Sequence, residues 1–442
     1  MAGADDRAWR LGAAALAAAL GLVAMLAGDL VGPRLMAVLG IVCFIAIVAA
    51  CSTNLRAVSW RTVGWGIALQ WLFALLILKL EVGGVRPGYE LFSHVADFAR
   101  RFLEFPSAGA QLVFGDLANQ EIMSGILPNG FIFAFTALPT IIFISSFFTV
   151  LYHVRVLQVA VQLMATAMMY FMRTSGAETL ASAANVFMGQ TEAPIIVKPF
   201  VPEMTESELL ALMVGGLATI SGAVMGVYIA IGADPVAILT TSLMAAPCGL
   251  YLSKIMIPET ARPVTSGDAR IAVERTHVNV IDAAASGASD GTALAINVAA
   301  MLIAFLAFIA FIDYLLGLVS TDLSLARLFA WTFAPVARLM GVPSADVPAM
   351  ADLLGTKLVA NEFVAYIKLT GEYRESVSPR TYVLATYALT GFANFGSIGI
   401  ILGGIGALAP TRRSDLARLG LRALLAGFLA TMINASIASI LI

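Results

Sequence analysis

Long apolar runs separated by short polar connections dominate the chain. Each run approaches the roughly 20 residues that a helix needs to cross a bilayer. The runs do not show the strict alternation of membrane-barrel strands. The pattern therefore predicts an all-α polytopic membrane protein. The apolar runs cover residues 9–30, 35–51, 63–80, 131–152, 209–231, 236–252, 292–318, 382–408 and 419–442.

The first apolar run has two interpretations. It could be a signal peptide, whose apolar core usually spans about 7–15 residues. The run from Trp9 to Leu30 is longer and lacks a clear A-x-A cleavage site. We therefore expect residues 1–33 to form a retained transmembrane helix.

A short polar stretch interrupts an apolar region near the middle of the chain. Gly189–Pro194 places an amide, a hydroxyl and the carboxylate of Glu192 between two helix breakers. Broken backbone at membrane depth is tolerated only where it lines a cavity or is buried in protein. An acidic residue there is a functional-site hypothesis by default. We interpret residues 176–200 as a re-entrant hairpin, while the simpler alternative is an ordinary loop with Glu192 in water.

The same arrangement occurs a second time. Residues 347–369 carry Asn361 and Glu362 among apolar residues and are too short for two crossings. Each hairpin follows an amphipathic segment and precedes an interrupted run, broken near Thr219 in the first case and near Asn394 in the second. Two coincident interruptions favour inverted repeats with two hairpins and two broken helices, which is the architecture of secondary transporters.

The repeats divide the chain into a scaffold part and a transport part. The divisions are an extra N-terminal helix at 1–33, scaffold helices with an interfacial helix (86–116) at 34–153, the first transport repeat at 154–255, a cytoplasmic loop at 256–290, a scaffold helix at 291–320 and the second transport repeat at 321–442. Arginines at 56 and 61 and between 412 and 422 mark cytoplasmic connections. This orientation places the N-terminus in the cytoplasm and the C-terminus in the periplasm.

Composition removes several classes of function. Hydrophobic residues make up 60% of the 442 positions and charged residues 12%, against about 25% charged in soluble domains. A phosphate-binding GxxxxGK[ST] loop and an HExxH motif are both missing, which argues against a motor ATPase and against a zinc enzyme. We expect no enzymatic activity, no cofactor and no nucleic-acid partner.

The polar residues at the interruptions suit a neutral solute. Glu192 and Glu362 would converge with Gln190, Thr191, Asn394 and Ser397 near the midplane, supplying donors and acceptors but no fixed positive charge. Carboxylates accept from hydroxyl groups, and amides can read a base edge. An amino acid would need a cation or helix N-terminus for its carboxylate, so it is the less favoured solute.

A coupling ion needs its own site. Asn185 and Thr219 flank the interruptions of the first repeat and could offer oxygens to Na⁺ beside unwound backbone. A proton on Glu192 would serve equally well. These residues therefore leave Na⁺ symport, proton symport and an uncoupled channel or facilitator open.

Five motifs in the chain resemble the concentrative nucleoside transporter family, whose members are Na⁺/nucleoside symporters. They are NVFMGQTEAP at 185–194, GLATISG at 216–222, VANEFVAY at 359–366, GFANFGS at 391–397 and LAPTRR at 408–413. The resemblance runs from about residue 35 to the C-terminus, and the first motif is long and specific. It implies an inner-membrane homotrimer that imports nucleosides such as uridine.

The resemblance also implies roles for individual residues. The nucleobase would contact Gln190, Thr191, Glu192 and Val224, and the ribose would contact Glu362, Asn394 and Ser397 with Phe392 nearby. Sodium would bind the side chains of Asn185 and Thr219 and the carbonyl groups of Met188 and Ile220. The helix at 1–33 is extra relative to the shortest bacterial members. Met188 and Thr219 stand at positions that vary in the family.

Overall fold

The computed structural model describes residues 2–28, 30–125, 132–266 and 277–442. Within these ranges every long regular element is a helix, and eight helices are long and apolar enough to cross a membrane. The all-α fold class is therefore confirmed. The helices before the first hairpin are α1 (Ala2–Ala27), α2 (Pro33–Ala50), α3 (Trp60–Leu78), α4 (Pro87–Phe102), α5 (Phe105–Phe114), α6 (Gln120–Ser124) and α7 (Phe133–His153).

The predicted interfacial helix at 86–116 is two helices. Helix α4 ends at Phe102 and α5 begins at Phe105. Pro106 explains the break, because it lacks an N–H to bond to the preceding turn, whereas a proline is tolerated in the first turn of a new helix. The predicted start of the next span, Phe131, lies outside the described residues.

The first repeat has the predicted order of elements. Its hairpin consists of α9 and α10 around a turn at 185–192, and its broken helix consists of α11 and α12 around residues 219–221. A polar cap starts the second half-helix, because Ser221 Oγ accepts from the N–H of Val224 at 3.4 Å. The helices are α8 (Val156–Met172), α9 (Gly176–Ala184), α10 (Ala193–Ile196), α11 (Glu206–Ala218), α12 (Gly222–Ala230) and α13 (Pro235–Met256).

The long helix between the repeats begins earlier than predicted. Helix α14 covers Val280–Val319, so the loop predicted at 256–290 was wrong over its last part. The side chain of Asn279 caps the helix by accepting from the N–H of Asp282 at 2.9 Å. The polar residues of these first turns suggested a loop, but Gly287 and Gly291 pack closely against α7 beside Thr149 and Ile142.

The second repeat reproduces the order of the first. Its hairpin is formed by α16 and α17 with a turn at 360–361, and α18 and α19 form its broken helix around residues 390–394. The helices are α15 (Leu325–Leu339), α16 (Val347–Val359), α17 (Glu362–Thr370), α18 (Pro379–Leu389), α19 (Phe395–Leu408) and α20 (Arg413–Leu441).

Burial separates the inner helices from the lipid-facing ones. Helices α11, α13 and α20 are almost entirely buried, and they pack against one another at the centre of the repeats. Helices α1 and α14 expose most of their apolar side chains, while α14 packs along α7. Apolar surface of this kind suits hydrocarbon, because lipid does not penalise exposed apolar side chains.

Candidate functional site

The two hairpin turns and the two helix breaks meet around one cavity of about 170 Å³. All eight side chains predicted to bind the solute line it, although they come from elements far apart in the sequence. Four residues of α14, at positions 294, 298, 301 and 302, form the opposite wall. The eight are Gln190, Thr191, Glu192, Val224, Glu362, Phe392, Asn394 and Ser397.

The carboxylate of Glu362 lies at the centre of a buried hydrogen-bond network. Its Oε1 accepts from the hydroxyl of Tyr228 and its Oε2 from Nδ2 of Asn394, both at 2.9 Å. Asn394 also caps α19, because its Oδ1 accepts from the N–H of Ser397 at 2.8 Å. Both oxygens of Glu362 are therefore held by neighbouring protein groups.

The turn of the first hairpin is arranged differently. Glu192 accepts from the N–H of Gly189 at 3.0 Å, which closes the turn, and its side chain remains exposed. Gln190 is 7% exposed and its Oε1 has no hydrogen-bond partner. Gly216 makes this arrangement possible, because a Cβ there would lie 2.8 Å from Cβ of Gln190. An amide with a free acceptor at the cavity can recognise a polar ring edge.

Glu192 also lines a second cavity, of about 180 Å³. This cavity lies beside α7 and the start of α14 and includes His277 and Asp290. Glu192 therefore stands between the candidate solute cavity and a second, mainly apolar cavity. We expected Glu192 to face a polar solute, and its position allows that contact from either cavity.

The four predicted Na⁺ ligands lie at one junction between the first hairpin and the first break. Asn185 is fully buried, and neither atom of its amide has a hydrogen-bond partner. Its Nδ2 lies against Gly215, whose carbonyl accepts from the hydroxyl of Thr219 at 2.8 Å. The N–H of Gly222 donates to the carbonyl of Phe187 at 2.9 Å. This bond joins the hairpin turn next to Met188 to the helix break near Ile220.

This donor set fits Na⁺. Leaving a buried amide unpaired costs about 1–3 kcal/mol, so an orphaned pair of amide atoms points to a missing partner. Hydroxyl, amide and carbonyl oxygens are neutral ligands that a monovalent cation accepts. The hydroxyl of Ser182 is a further buried oxygen without a partner at this junction, and it was not predicted from the sequence.

A single backbone hydrogen bond connects the two breaks. The N–H of Phe392 donates to the carbonyl of Thr219 at 3.1 Å. Gly391 permits this contact, because a Cβ there would lie 3.1 Å from the carbonyl oxygens of Leu217 and Ala218. The candidate ion junction and the candidate solute cavity therefore share one backbone contact.

Tyr228 was missed by the sequence analysis. It lies four residues after Val224 on α12, so both side chains face the same side of the helix. That spacing was the available signal. Its ring stacks on Tyr366 with centroids 4.1 Å apart, which fixes the hydroxyl toward Glu362.

Comparison with known proteins identifies related chains across almost the whole sequence. Three family models match in order: Na⁺ dependent nucleoside transporter N-terminus at 39–117, nucleoside recognition (Gate) at 134–235 and Na⁺ dependent nucleoside transporter C-terminus at 237–439. The mouse protein Sodium/nucleoside cotransporter 1 is 38% identical over 98% of this chain and 68% of its own length. An uncharacterized transporter of Haemophilus influenzae is 40% identical over 92% of this chain and 98% of its own.

Solved structures agree with the sequence comparison. The structure of CNTnw in an inward-facing substrate-bound state superposes with a TM-score of 0.87 at 38% identity and covers 92% of this chain and 98% of that chain. A CNTnw variant in an outward-facing state gives a TM-score of 0.86 at 36% identity, covering 92% of this chain and 97% of that chain. The relatives are transporters, not enzymes, and sodium is the coupling ion of their family. This chain therefore belongs to the Na⁺-dependent nucleoside transporter family.

Proposed function

We propose that this protein imports nucleosides, uridine among them, across the inner membrane together with Na⁺. The convergence of both hairpin turns and both helix breaks on one cavity carries the proposal. In this assignment Gln190, Thr191 and Glu192 contact the base, with Val224 packed on it. Glu362, Asn394 and Ser397 hold the ribose, with Phe392 nearby.

The carboxylate of Glu362 provides the strongest polar contact to the solute in this proposal. Ribose hydroxyls donate to a carboxylate, and hydrogen bonds to charged groups contribute about 1.5–3 kcal/mol each. Tyr228 and Asn394 hold the carboxylate in place before the solute arrives. Preorganisation of this kind reduces the ordering cost of binding.

Sodium binds at the junction of Asn185, Met188, Thr219 and Ile220 in this proposal. The ion supplies the missing partner of the Asn185 amide oxygen and draws the first hairpin turn onto the break at residues 219–221. Gln190 follows directly in that turn, so the ion orders a group that contacts the base. This dependence couples the two binding events, because each stabilises the same arrangement of the turn.

Alternating access follows from the division into two parts. The hairpins and broken helices carry the polar groups, and α14 supplies an apolar wall. CNTnw is known in inward-facing and outward-facing states, and we infer a corresponding displacement of the transport part along α14. We also propose a homotrimer assembled through the scaffold helices, with the N-terminus in the cytoplasm and the C-terminus in the periplasm.

Uptake into proteoliposomes tests the proposal. Radiolabelled uridine is supplied with an inward Na⁺ gradient, with an inward proton gradient, or with neither. Accumulation above equilibrium with Na⁺ alone is the expected result. Accumulation with protons alone would move the coupling to an acid such as Glu192, and equilibration without accumulation would replace the symporter by a facilitator. Absence of uptake for uridine and for other nucleosides would overturn the proposal.

A further inference from the structure

The second hairpin contains a fully buried lysine close to its turn. Lys357 lies in the last turn of α16, and its side chain is 0% exposed. Its Nζ donates to the carbonyl of Ala388 at 2.6 Å and to Oγ1 of Thr431 at 2.9 Å. The proposed nucleoside contacts do not use this residue.

Three electron-rich groups surround the Nζ of Lys357. The carbonyl of Ala388 can only accept. The hydroxyl of Thr431 donates to the carbonyl of Phe428 at 2.9 Å, so its oxygen is the acceptor for Lys357. The ring of Phe428 lies 5.5 Å from Nζ, at cation–π distance. A group with three N–H donors and no acceptor matches this surrounding. The carboxylate of Glu362 also interacts electrostatically with Lys357, so the site favours a positive charge.

The position of Lys357 corresponds to the ion junction of the first repeat. Lys357 stands two residues before the end of α16, as Ser182 stands two residues before the end of α9. Ser182 lies beside Gly215, in the last turn of α11. Ala388 lies in the last turn of α18, the matching half-helix of the second repeat.

The first residue of each break supports the same correspondence. Thr219 follows α11 and Thr390 follows α18. The hydroxyl of Thr219 donates to the carbonyl four residues earlier at 2.8 Å, and the hydroxyl of Thr390 does the same at 2.7 Å. The two junctions are therefore built on the same backbone plan.

We propose that Lys357 is a tethered cation that takes, in the second repeat, the place that the coupling Na⁺ takes in the first. This inference rests on the proposed Na⁺ symport. Ser182 and Asn185 leave buried polar atoms without partners, whereas Nζ of Lys357 is fully provided with acceptors. A tethered ammonium stabilises its hairpin turn through these contacts and, being part of the chain, is not transported. The protein therefore moves one Na⁺ with each nucleoside, and the second symmetry-related position is closed to the ion.

The replacement Lys357→Ser tests this inference. The shorter side chain removes the ammonium and leaves a hydroxyl beside the oxygens of Ala388 and Thr431, which opens the position to Na⁺. At zero membrane potential, a tenfold Na⁺ gradient should support about tenfold accumulation of uridine in the unsubstituted protein and about hundredfold in the variant, because the work done scales with the number of ions. The dependence of uptake on Na⁺ should change from hyperbolic to sigmoidal.

Lys368→Gln is the matched control. Lys368 lies on the other arm of the same hairpin, is partly exposed and pairs with Asp352. Its replacement should keep about tenfold accumulation under the same gradient, since the stoichiometry stays at one ion. Hundredfold accumulation by the unsubstituted protein, or tenfold accumulation by an active Lys357→Ser variant, would overturn the inference.

Stability in detergent decides the case in which Lys357→Ser is inactive. Sodium chloride, compared with choline chloride, should raise the melting temperature of the variant by more than it raises that of the unsubstituted protein. An equal rise, or failure to fold in both salts, would overturn the inference, because a vacated cation position would then not accept Na⁺. If the unsubstituted protein used protons alone, the proposed function would fail, while a new Na⁺ dependence in Lys357→Ser would still support the tethered cation.

Discussion

At the turn of the first hairpin, the Asn185 amide and the Ser182 hydroxyl are buried without hydrogen-bond partners. At the turn of the second hairpin, Glu362, Asn394 and Lys357 are each bonded to neighbouring protein groups. The order of helices is the same in both repeats. The first junction thus has unpaired polar atoms that the proposed Na⁺ would bind, whereas the polar groups named at the second are bonded to the protein itself.

The two repeats also place their buried lysines at opposite ends of the hairpin. Lys254 contacts Glu178 at 2.6 Å at the base of the first hairpin, far along α9 from the turn. Lys357 lies at the turn of the second. The turn at residues 185–192 itself contains no lysine or arginine, which suits the Na⁺ site proposed there.

Breaking the base of the first hairpin should have the largest effect. Lys254→Ala leaves Glu178 buried without its counterion, and losing one partner of a buried pair costs about 3–5 kcal/mol. We expect a lower melting temperature in detergent, measured by intrinsic fluorescence. Arg418→Ala, which removes the exposed contact of Arg418 with Glu206, is the control and should cost less than about 1 kcal/mol. Equal melting temperatures for the two variants would contradict the prediction.

Disturbing the preorganised carboxylate should come next. Glu362→Gln replaces an acceptor-only group with an amide whose NH₂ would face the hydroxyl of Tyr228 or the amide of Asn394. We expect a loss of about 100-fold in the specificity constant for uridine uptake, equivalent to about 2.7 kcal/mol. Kinetics in proteoliposomes with matched protein content would measure it. Unchanged uptake would remove Glu362 from the ribose site.

Removing the unpaired amide of Asn185 should weaken the binding of Na⁺. Asn185→Ala deletes a proposed Na⁺ ligand and should raise the Na⁺ concentration for half-maximal uptake about tenfold, or about 1.4 kcal/mol. The maximal rate at saturating Na⁺ should change little. Ser182→Ala gives a graded comparison with a smaller rise. An unaltered Na⁺ dependence in Asn185→Ala would place the ion elsewhere.

The smallest effect is expected at the support of Glu362. Tyr228→Phe removes one hydrogen bond to the carboxylate and keeps the ring stacked on Tyr366. A single bond of this kind contributes about 1 kcal/mol, so we expect the KM for uridine to rise about fivefold. The Na⁺ dependence should stay as it is, which separates this variant from Asn185→Ala. A change in both the KM for uridine and the Na⁺ dependence would show that the solute site and the ion site cannot be separated by this variant.

The architecture and the cavity were largely predictable because bilayer physics leaves few options. The interruptions at residues 189–194 and 391–397 could be recognised as polar breaks in apolar runs, and such breaks must line cavities. The start of α14 was missed because small residues such as Gly287 give no apolar signal, although they pack tightly on α7. Close packing of small residues is a property of two surfaces together, and one sequence shows only one of them.

The networks within the site were less predictable. Tyr228 could have been found from its helical spacing to Val224, whereas the contact of Lys357 with Thr431 joins residues 74 positions apart. Contacts of that range depend on how the repeats pack. The resemblance to a family indicated which residues matter, and the structure shows which of them are already held by other protein groups.

The wall that α14 contributes has a practical consequence for drug-like nucleosides. Leu294, Val298, Met301 and Leu302 line the cavity with apolar side chains. The displacement of the transport part proposed above would therefore break no hydrogen bonds to these four side chains. A nucleoside with an apolar extension toward α14 would bury that extension against these side chains. Such a compound should bind more tightly and be released more slowly, so it would act as an inhibitor instead of a transported substrate.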